Sequence, residues 1–518
     1  MVRKDMLDRV ADGLTWDVIV IGGGATGLGV AVDAAARGYA TLLLEQHDFA
    51  KGTSSRSTKL VHGGLRYLKQ GNISLVVEAL HERDRLRMNA PHLVRDLPFV
   101  VPVYDWWEGP FYGVGLRLYD MLAGKLGLGP SRNLSRDETL ERIPTIEPDG
   151  LRGGVIYHDA QFDDARLAIT LARTAVDLGA TVVNYMRVVS LDRKHNMISG
   201  VVARDEETGD QHVIAARVVV NATGVFSDYI REMDDPDSRP MIRASQGVHI
   251  VLASDFLRGN TAIMVPSTDD GRVLFAIPWY DRTLIGTTDT PVPRTSIEPK
   301  PLDHEVEFLL KHAVQYLTHD PDPSDILSVF AGLRPLVSPT ANGNVDTSEV
   351  SREHVVHISA SGLVTIAGGK WTTYRRMGED TVDQAATVGR LTPRDSPTRS
   401  LKLHGYVDAP PESSMDAYGS DRTLLESTIA EDASYAEPLA DGLPYQKGEV
   451  IYAVRHEMAR TVDDVLARRT RSLLLDARAA RGAAAETARL MATELGKSAE
   501  WEAEEAARFR RIAERYIV

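Results

Sequence analysis

The 518-residue sequence predicts an α/β fold, with a doubly wound parallel sheet entered at the N-terminus and an all-helical C-terminal end. Three observations carry that expectation. A short β-branched run, Asp17-Val-Ile-Val-Ile21, leads directly into the glycine-rich Gly22-Gly-Gly-Ala-Thr-Gly27. Further strand-like runs at 181–185, 218–220 and 363–366 each end near a glycine turn, as strands of such a sheet do. From 445 to the end there is no proline, and Ala, Glu and Arg dominate.

Residues 17–21 read as a buried parallel strand because the run is short, apolar and bounded by glycine. A helix-compatible segment follows to Arg37, Gly38 supplies a stop, and 40–44 reads as a second strand closed by Glu45. The spacing suits a βαβ unit: Gly22 allows the turn, Gly24 lets backbone approach a pyrophosphate, and Gly27 permits helix–strand packing. Phosphates would sit on the helix N-terminus, where free N–H groups and the dipole favour anions. Glu45, 18 residues after Gly27, can accept hydrogen bonds from ribose hydroxyls and would repel a 2′-phosphate, which disfavours NADP. The glycine pattern alone is weak in a chain with 41 glycines; strand, helix and acid agreeing make it dinucleotide binding. Gly113-Val-Gly115 lacks the third glycine and the acid, and Gly368-Gly-Lys370 is followed by Trp371, so neither is a phosphate loop.

Residues 50–77 contain no acid but carry Lys51, Arg56, Lys59, Arg66 and Lys69 among Thr53, Ser54, Ser55, Ser57 and Thr58. This composition suits an anionic cofactor or substrate, and equally a solvated loop. The balance of 59 basic against 73 acidic residues, −14 in all, opposes a nucleic-acid partner. Absence of cysteine excludes disulfides, thiolate nucleophiles, Cys-ligated metals and flavin attached through sulfur. His456-Glu457 lacks the second histidine of a zinc helix, so no metal is expected. Residues 1–16 show no signal-peptide pattern, and the uncharged stretch 18–32 is too short to span a bilayer, so a soluble or peripheral protein is expected.

The segment Gly52-Thr-Ser-Ser-Arg-Ser-Thr-Lys-Leu-Val-His-Gly-Gly-Leu-Arg-Tyr67 closely resembles the flavin segment of FAD-dependent glycerol-3-phosphate dehydrogenases. Four segments in the same order support it: Val220-Asn-Ala-Thr-Gly224, the stretch 277–289, Gly332-Leu-Arg-Pro-Leu336 and Ala367-Gly-Gly-Lys-Trp-Thr-Thr-Tyr-Arg375. Residues 456–471 resemble that family's tail domain. Leu28 and Gly378 depart from the pattern, at packing positions where a small residue and Ala are usual.

The resemblance implies a Rossmann-like FAD-binding domain from 1–95, 150–245 and 355–395, and an inserted α+β substrate-binding cap from 96–149 and 246–354. A C-terminal all-helical domain, 396–518, follows a linker rich in Pro, Ser and Asp, and Thr461-Val-Asp-Asp464 reads as a capping box within it. FAD contacts are implied at Gly22, Gly24, Ala25, Thr26, Gly27, Glu45 and Gln46, and at Thr53, Ser54, Ser55, Thr58, Lys59, Leu60, His62, Gly63 and Gly64. Val188, Ala222, Thr223, Gly224, Gly332, Gly369, Lys370 and Thr372 complete that set. Arg66, Tyr67, His249, Arg334, Arg352 and Lys370 are implied around the substrate.

The implied reaction is oxidation of sn-glycerol 3-phosphate to dihydroxyacetone phosphate, with a hydride passing to flavin. His249 is the candidate base because an imidazole titrates near neutrality, the alternative being a satisfied strand histidine. Arg334 and Lys370 would stabilise the developing alkoxide. Electrons are expected to pass to a membrane quinone, with the protein cytoplasmic and peripheral on the inner face of the cell membrane. Two docking surfaces are expected: the aromatic stretch 99–130, with Trp106, Trp107, Phe111, Tyr112 and Tyr119, and the basic tail 455–471. Ordinary core is the competing reading of the first. A homodimer is left open. Competing functions are an oxidase of the same substrate that releases peroxide, an amino-acid oxidase, and a non-enzymatic FAD-binding redox protein.

Overall fold

The computed structural model describes residues 1–64, 72–105, 108–124, 127–266, 268–269, 271–337 and 354–518. Its first sheet has eight strands, ordered Val355–Ile358, Val364–Ala367, Gln211–Asn221, Trp16–Ile21, Thr41–Leu44 and Thr181–Val183, with Met186–Lys194 and Met197–Asp205 extending from Gln211–Asn221. Trp16–Ile21 pairs in parallel with Gln211–Asn221 on one side and Thr41–Leu44 on the other. Val18, Ile19 and Val20 have no exposed surface, which is why the run is apolar throughout rather than alternating. The expected βαβ unit is present, with its helix at Ala25–Ala36 and Gly38 in the left-handed region at φ +77°.

The second sheet has ten strands. Its path runs Thr290–Pro291, Ile242–Ala253, Arg282–Gly286, Leu274–Trp279, Ala262–Val265, Val94–Val103, Gly153–Phe162 and Leu60–Val61. Ser328–Val337 and Arg132–Ser135 add at the sides. This corrects the expected boundaries: residues 60–61 and 153–162, grouped from the sequence with the nucleotide-binding pieces, are strands of the second sheet. Gly153–Phe162 pairs along its whole length with Val94–Val103, from Val103↔Gly153 to Val94↔Phe162. Nine of its ten positions are buried, so no alternation in the sequence tells which sheet it joins.

Helices Lys447–His456, Ala477–Leu495 and Ala499–Ala513 form the C-terminal end, and Leu466, Leu473 and Phe509 share one apolar core with Val251, Ile277 and Phe330 of the second sheet. The expected capping box exists: Asp464 accepts from Thr461 N–H at 3.0 Å, and the Thr461 hydroxyl accepts from Asp464 N–H at 3.3 Å. Gly378 is explained by the helix crossing it occupies. A Cβ there would lie 2.5 Å from the Gly29 carbonyl oxygen, and one on Gly29 would lie 2.7 Å from that of Tyr374. Leu28 is wholly buried in the core.

The arginines at the end of the basic tail do not form a surface, although Arg455 and Arg460 are partly exposed. Arg468, Arg469 and Arg471 are at most 2% exposed and point inward. Arg468 reaches Asp48 at 2.6 Å, Asp464 at 2.7 Å and Asp463 at 3.0 Å; Arg469 pairs with Asp48 at 2.9 Å, and Arg471 with Asp163 at 3.0 Å. Burial opposes the charge on Asp48, yet Arg469 and Arg468 hold its carboxyl below the usual range. Tyr119 also belongs to the core: its hydroxyl accepts from Gly63 N–H at 3.0 Å and donates to Asp159 at 2.9 Å. Trp106 and Trp107, and the side chains of Phe111 and Tyr112, lie outside the described residues. Among the described residues no helix is long and apolar enough to cross a membrane.

Removing one partner of a buried charge cluster leaves the others uncompensated. Asp48→Ala should therefore lower stability by about 3–5 kcal/mol, read from denaturant midpoints at unchanged slope. A loss below about 1 kcal/mol would show that Arg468 and Arg469 find other partners.

Candidate active site

A cavity of about 720 Å³ opens where the two sheets face each other. On one side its wall is the carboxyl ends of the parallel strands: Ile21 and Gly22, Leu44 and Glu45, Ala222 to Gly224, and Gly368 to Lys370. That is where an open α/β sheet takes its ligands. On the other side stand Phe99, Tyr157, His249, Met264, Phe275 and Arg334 from the second sheet.

The first wall is a cradle for a dinucleotide. Gly22 has φ +110°, and a Cβ on it would come within 2.7 Å of the Ala222 carbonyl oxygen. Gly24, Ala25 and Thr26 lie on the wall at the N-terminus of the Ala25–Ala36 helix, which has no side-chain cap and no acid in its first turn. Its open first turn suits a pyrophosphate, although Ala25 N–H is already taken by a side chain. Ser54 Oγ accepts from Ala25 N–H at 2.9 Å and ties the 52–62 loop to that terminus. Glu45 closes the next strand; its Oε2 accepts from Gly23 N–H at 2.6 Å and its Oε1 from His47 N–H at 2.8 Å. Burial pushes this carboxyl up to about 7 against those two bonds.

Gln46, Thr53, Thr58, Leu60, His62, Val188, Thr223, Gly332, Gly369 and Thr372 also line the cavity. Five residues from the expected cofactor set do not. Gly27 lies behind the turn, where any Cβ would run into the Gly22 carbonyl, so it packs helix on strand. Ser55 turns back to the Gly52 carbonyl at 3.4 Å. Gly63 packs on Tyr119 and Leu80, and Gly64 donates its N–H to His62 Nδ1 at 3.1 Å. Lys59 is buried away from the cavity with its ammonium on Asp164, at 2.7 and 2.9 Å.

Of the expected substrate residues, His249, Arg334 and Lys370 come together on this one cavity. Arg66, Tyr67 and Arg352 lie outside the described residues. His249 is 2% exposed, its Nε2 lies 2.9 Å from Thr58 Oγ1, and its ring stacks on Phe330 at 4.9 Å. Its Nδ1 is buried with no hydrogen-bond partner among the described residues. Burial, then Lys59, then Arg334 push its imidazole well below the ordinary histidine range. Arg334 is held on Asp289 at 3.3 Å, on Thr287 Oγ1 at 3.2 Å and on the Thr288 carbonyl at 3.0 Å. The sequence does not single out Asp289 or Thr287, although both close the 277–289 segment; the missing signal is which acid a buried arginine needs. Nor does it foresee the apolar wall of Phe99, Tyr157 and Phe275, whose alternation reads as ordinary strand.

Residues 17–375 match the family described as FAD dependent oxidoreductase, and residues 368–502 match the C-terminal domain of alpha-glycerophosphate oxidase. The chain is 41% identical over 534 residues to the mitochondrial glycerol-3-phosphate dehydrogenase of Homo sapiens, covering 95% of this chain and 72% of that one. It is 42% identical over 524 residues to the mitochondrial enzyme of Arabidopsis thaliana, covering 92% and 82%. The crystal structure of glycerol-3-phosphate dehydrogenase from Bacillus halodurans complexed with FAD superposes with a TM-score of 0.81 at 30% identity, over 100% of this chain and 98% of that one. The uncapped helix terminus, the close-approach glycines and the buried carboxyl fit FAD, which is the cofactor.

A ribose hydroxyl donating to Glu45 favours its charged form, so FAD binding should draw the carboxyl below its free value of about 7. Between those two values binding releases a proton, and affinity should rise with pH by up to about tenfold per unit until pH ~7. Calorimetry on the apoprotein at pH ~6, in two buffers of different ionisation enthalpy, reads the proton directly. Identical heats in both buffers would refute the linkage.

Proposed function

The chain belongs to the FAD-dependent glycerol-3-phosphate dehydrogenases, and from that membership we propose that it oxidises sn-glycerol 3-phosphate to dihydroxyacetone phosphate and passes the electrons to a membrane quinone. The observation that carries the first part is the meeting of His249, Arg334 and Lys370 on the cavity that also holds the dinucleotide cradle. FAD, held by the Gly22, Gly24, Ala25, Thr26 and Glu45 cradle, would supply the two-electron acceptor for the hydride lost from C2 of the substrate.

The chain's own residues do the rest. Arg334 and Lys370 bring positive charge to a protein of net −14, and a phosphate monoester is the small-molecule group that such charge holds best. Asp289 fixes the Arg334 guanidinium before substrate arrives, so little order is lost on binding. The depressed imidazole of His249 is neutral throughout the physiological range and ready to take a proton. His249 Nε2 is tied to Thr58 Oγ1, and the imidazole is the group that takes the proton of the C2 hydroxyl. The same two cations face the oxygen as it gains negative charge, where fixed charges count most.

For the acceptor, Leu118 and Met121 on the Glu108–Ala123 helix are 38% and 70% exposed and offer an apolar contact to a bilayer. The inward turn of Arg468, Arg469 and Arg471 weakens the case for the tail as the competing surface. On this reading the protein sits peripherally on the inner face of the membrane.

Anaerobic addition of sn-glycerol 3-phosphate should bleach the flavin absorbance, and a soluble quinone analogue should restore it much faster than air. Rapid recovery in air with peroxide formation would make the chain an oxidase, and absence of bleaching would refute the substrate. Arg334→Met should raise KM about ten- to hundredfold, the worth of one charge-assisted hydrogen bond or two. An unchanged KM would remove Arg334 from the phosphate site.

A further inference from the structure

Lys59 does not touch the cavity, yet it sits directly behind the residue that faces it. Its backbone is left-handed at φ +63°, and its side chain has no exposed surface. The three ammonium protons meet three acceptors: the Ser55 carbonyl at 2.7 Å, Asp164 Oδ2 at 2.7 Å and Asp164 Oδ1 at 2.9 Å. That full set fits the charged form, because a neutral amine would leave one acceptor unmet. The nitrogen also lies 5.4 Å from the centroid of Phe330 and 5.3 Å from that of Trp279. Phe330 is the ring on which His249 stacks, with 13° between the planes. Thr58, the residue before Lys59, holds His249 Nε2.

The geometry points to Lys59 as a positioning residue of the reaction: a buried ammonium, outside the reach of substrate, that keeps His249 free of a proton when the cavity is loaded. This rests on the reading of His249 as the base. The charges acting on His249 are Lys59 from the 52–62 loop and Arg334 from Ser328–Val337, with the carboxylates Asp164 and Asp289 behind them. Lys370 stands on the same cavity wall, and Gly286 faces the imidazole from the neighbouring strand without a side chain. A bound phosphate dianion offsets Arg334, and with it that residue's hold on the base. Lys59 is spared because its protons are already satisfied and it does not line the cavity. Its field is thus the part of the electrostatic bias that survives substrate binding. Without it, a base surrounded by an anionic substrate would be protonated in the range where it has to act.

The test is the pH dependence of anaerobic flavin reduction at saturating substrate, measured on FAD-loaded enzyme. In Lys59→Met the acid limb of the profile should move up by about one pH unit, the size expected of one buried charge acting across a ring. Lys59→Arg, which keeps the charge, should return the limb to its place. Because Lys59→Met leaves Asp164 unpaired, and that carboxylate itself favours a charged imidazole, the double variant Lys59→Met with Asp164→Asn supplies a neutral pair that folds more readily, and its limb should still move up, by less than in Lys59→Met. A purely structural role would lower the rate at every pH without moving the limb, and that result in both variants overturns the proposal. His249→Asn separates the two levels of the argument. If it removes the acid limb while the Lys59 variants leave the limb in place, Lys59 alone is refuted; if it keeps both the limb and the rate, His249 is not the base and the proposal falls with it.

Discussion

The arrangement of this chain depends on a cluster of buried arginines and aspartates more than on any one hydrophobic contact. Asp48 stands three residues after Glu45, so the arginines that grip it from the C-terminal end also fix the strand end that carries the carboxyl of the cradle. Asp163 and Asp164 divide the work between them. Asp163 takes Arg471 from the helical end, whereas Asp164 takes Lys59 and the Ser57 N–H from the cofactor loop. Two neighbouring carboxylates thus join three regions distant in sequence. Buried ion pairs add little net stability once desolvation is counted, but they penalise any arrangement that leaves a charge unmatched. Their effect here is to specify which loop faces which sheet.

The same accounting explains how an acidic protein presents a cationic cavity. Residues 50–77 and 354–378 carry no acid, and Lys51, Arg56 and Lys370 from them line the cavity. Two carboxylates on the wall are committed to an arginine, Asp289 to Arg334 and Asp159 to Arg83, whereas Glu45 is held by backbone N–H groups. Net charge is a poor guide to a local field when the opposing charges lie elsewhere or are already paired.

Much of the cradle was legible in the sequence because its requirements are local. A strand, three glycines and an acid at fixed spacing are demanded by backbone geometry within one βαβ unit, and Gly22, Gly24, Ala25, Thr26 and Glu45 all stand where that unit puts them. The meeting of His249, Arg334 and Lys370 was legible only through resemblance, since three residues so far apart in sequence show no spacing rule. What misled was composition read without partners. The basic run 455–471 looks like a surface, and Lys59 like a phosphate ligand, until the aspartates at 48, 163 and 164 are seen to lie against them. Gly153–Phe162 failed for another reason: a strand buried on both faces has no period that identifies its sheet.

The crossing of Gly29 on Gly378 makes one beam of two helices. The first carries the phosphate end of the cradle, and the second begins just beyond Lys370. Backbone rests on backbone there, with no rotamers between that could give way. Cofactor and lysine therefore ride on a common chassis, and a displacement at one end is delivered to the other. Whatever compliance the cavity needs to admit and release a small phosphate has to come from the facing sheet, where the side chains of Asp289 and Thr287 are among the contacts that hold Arg334.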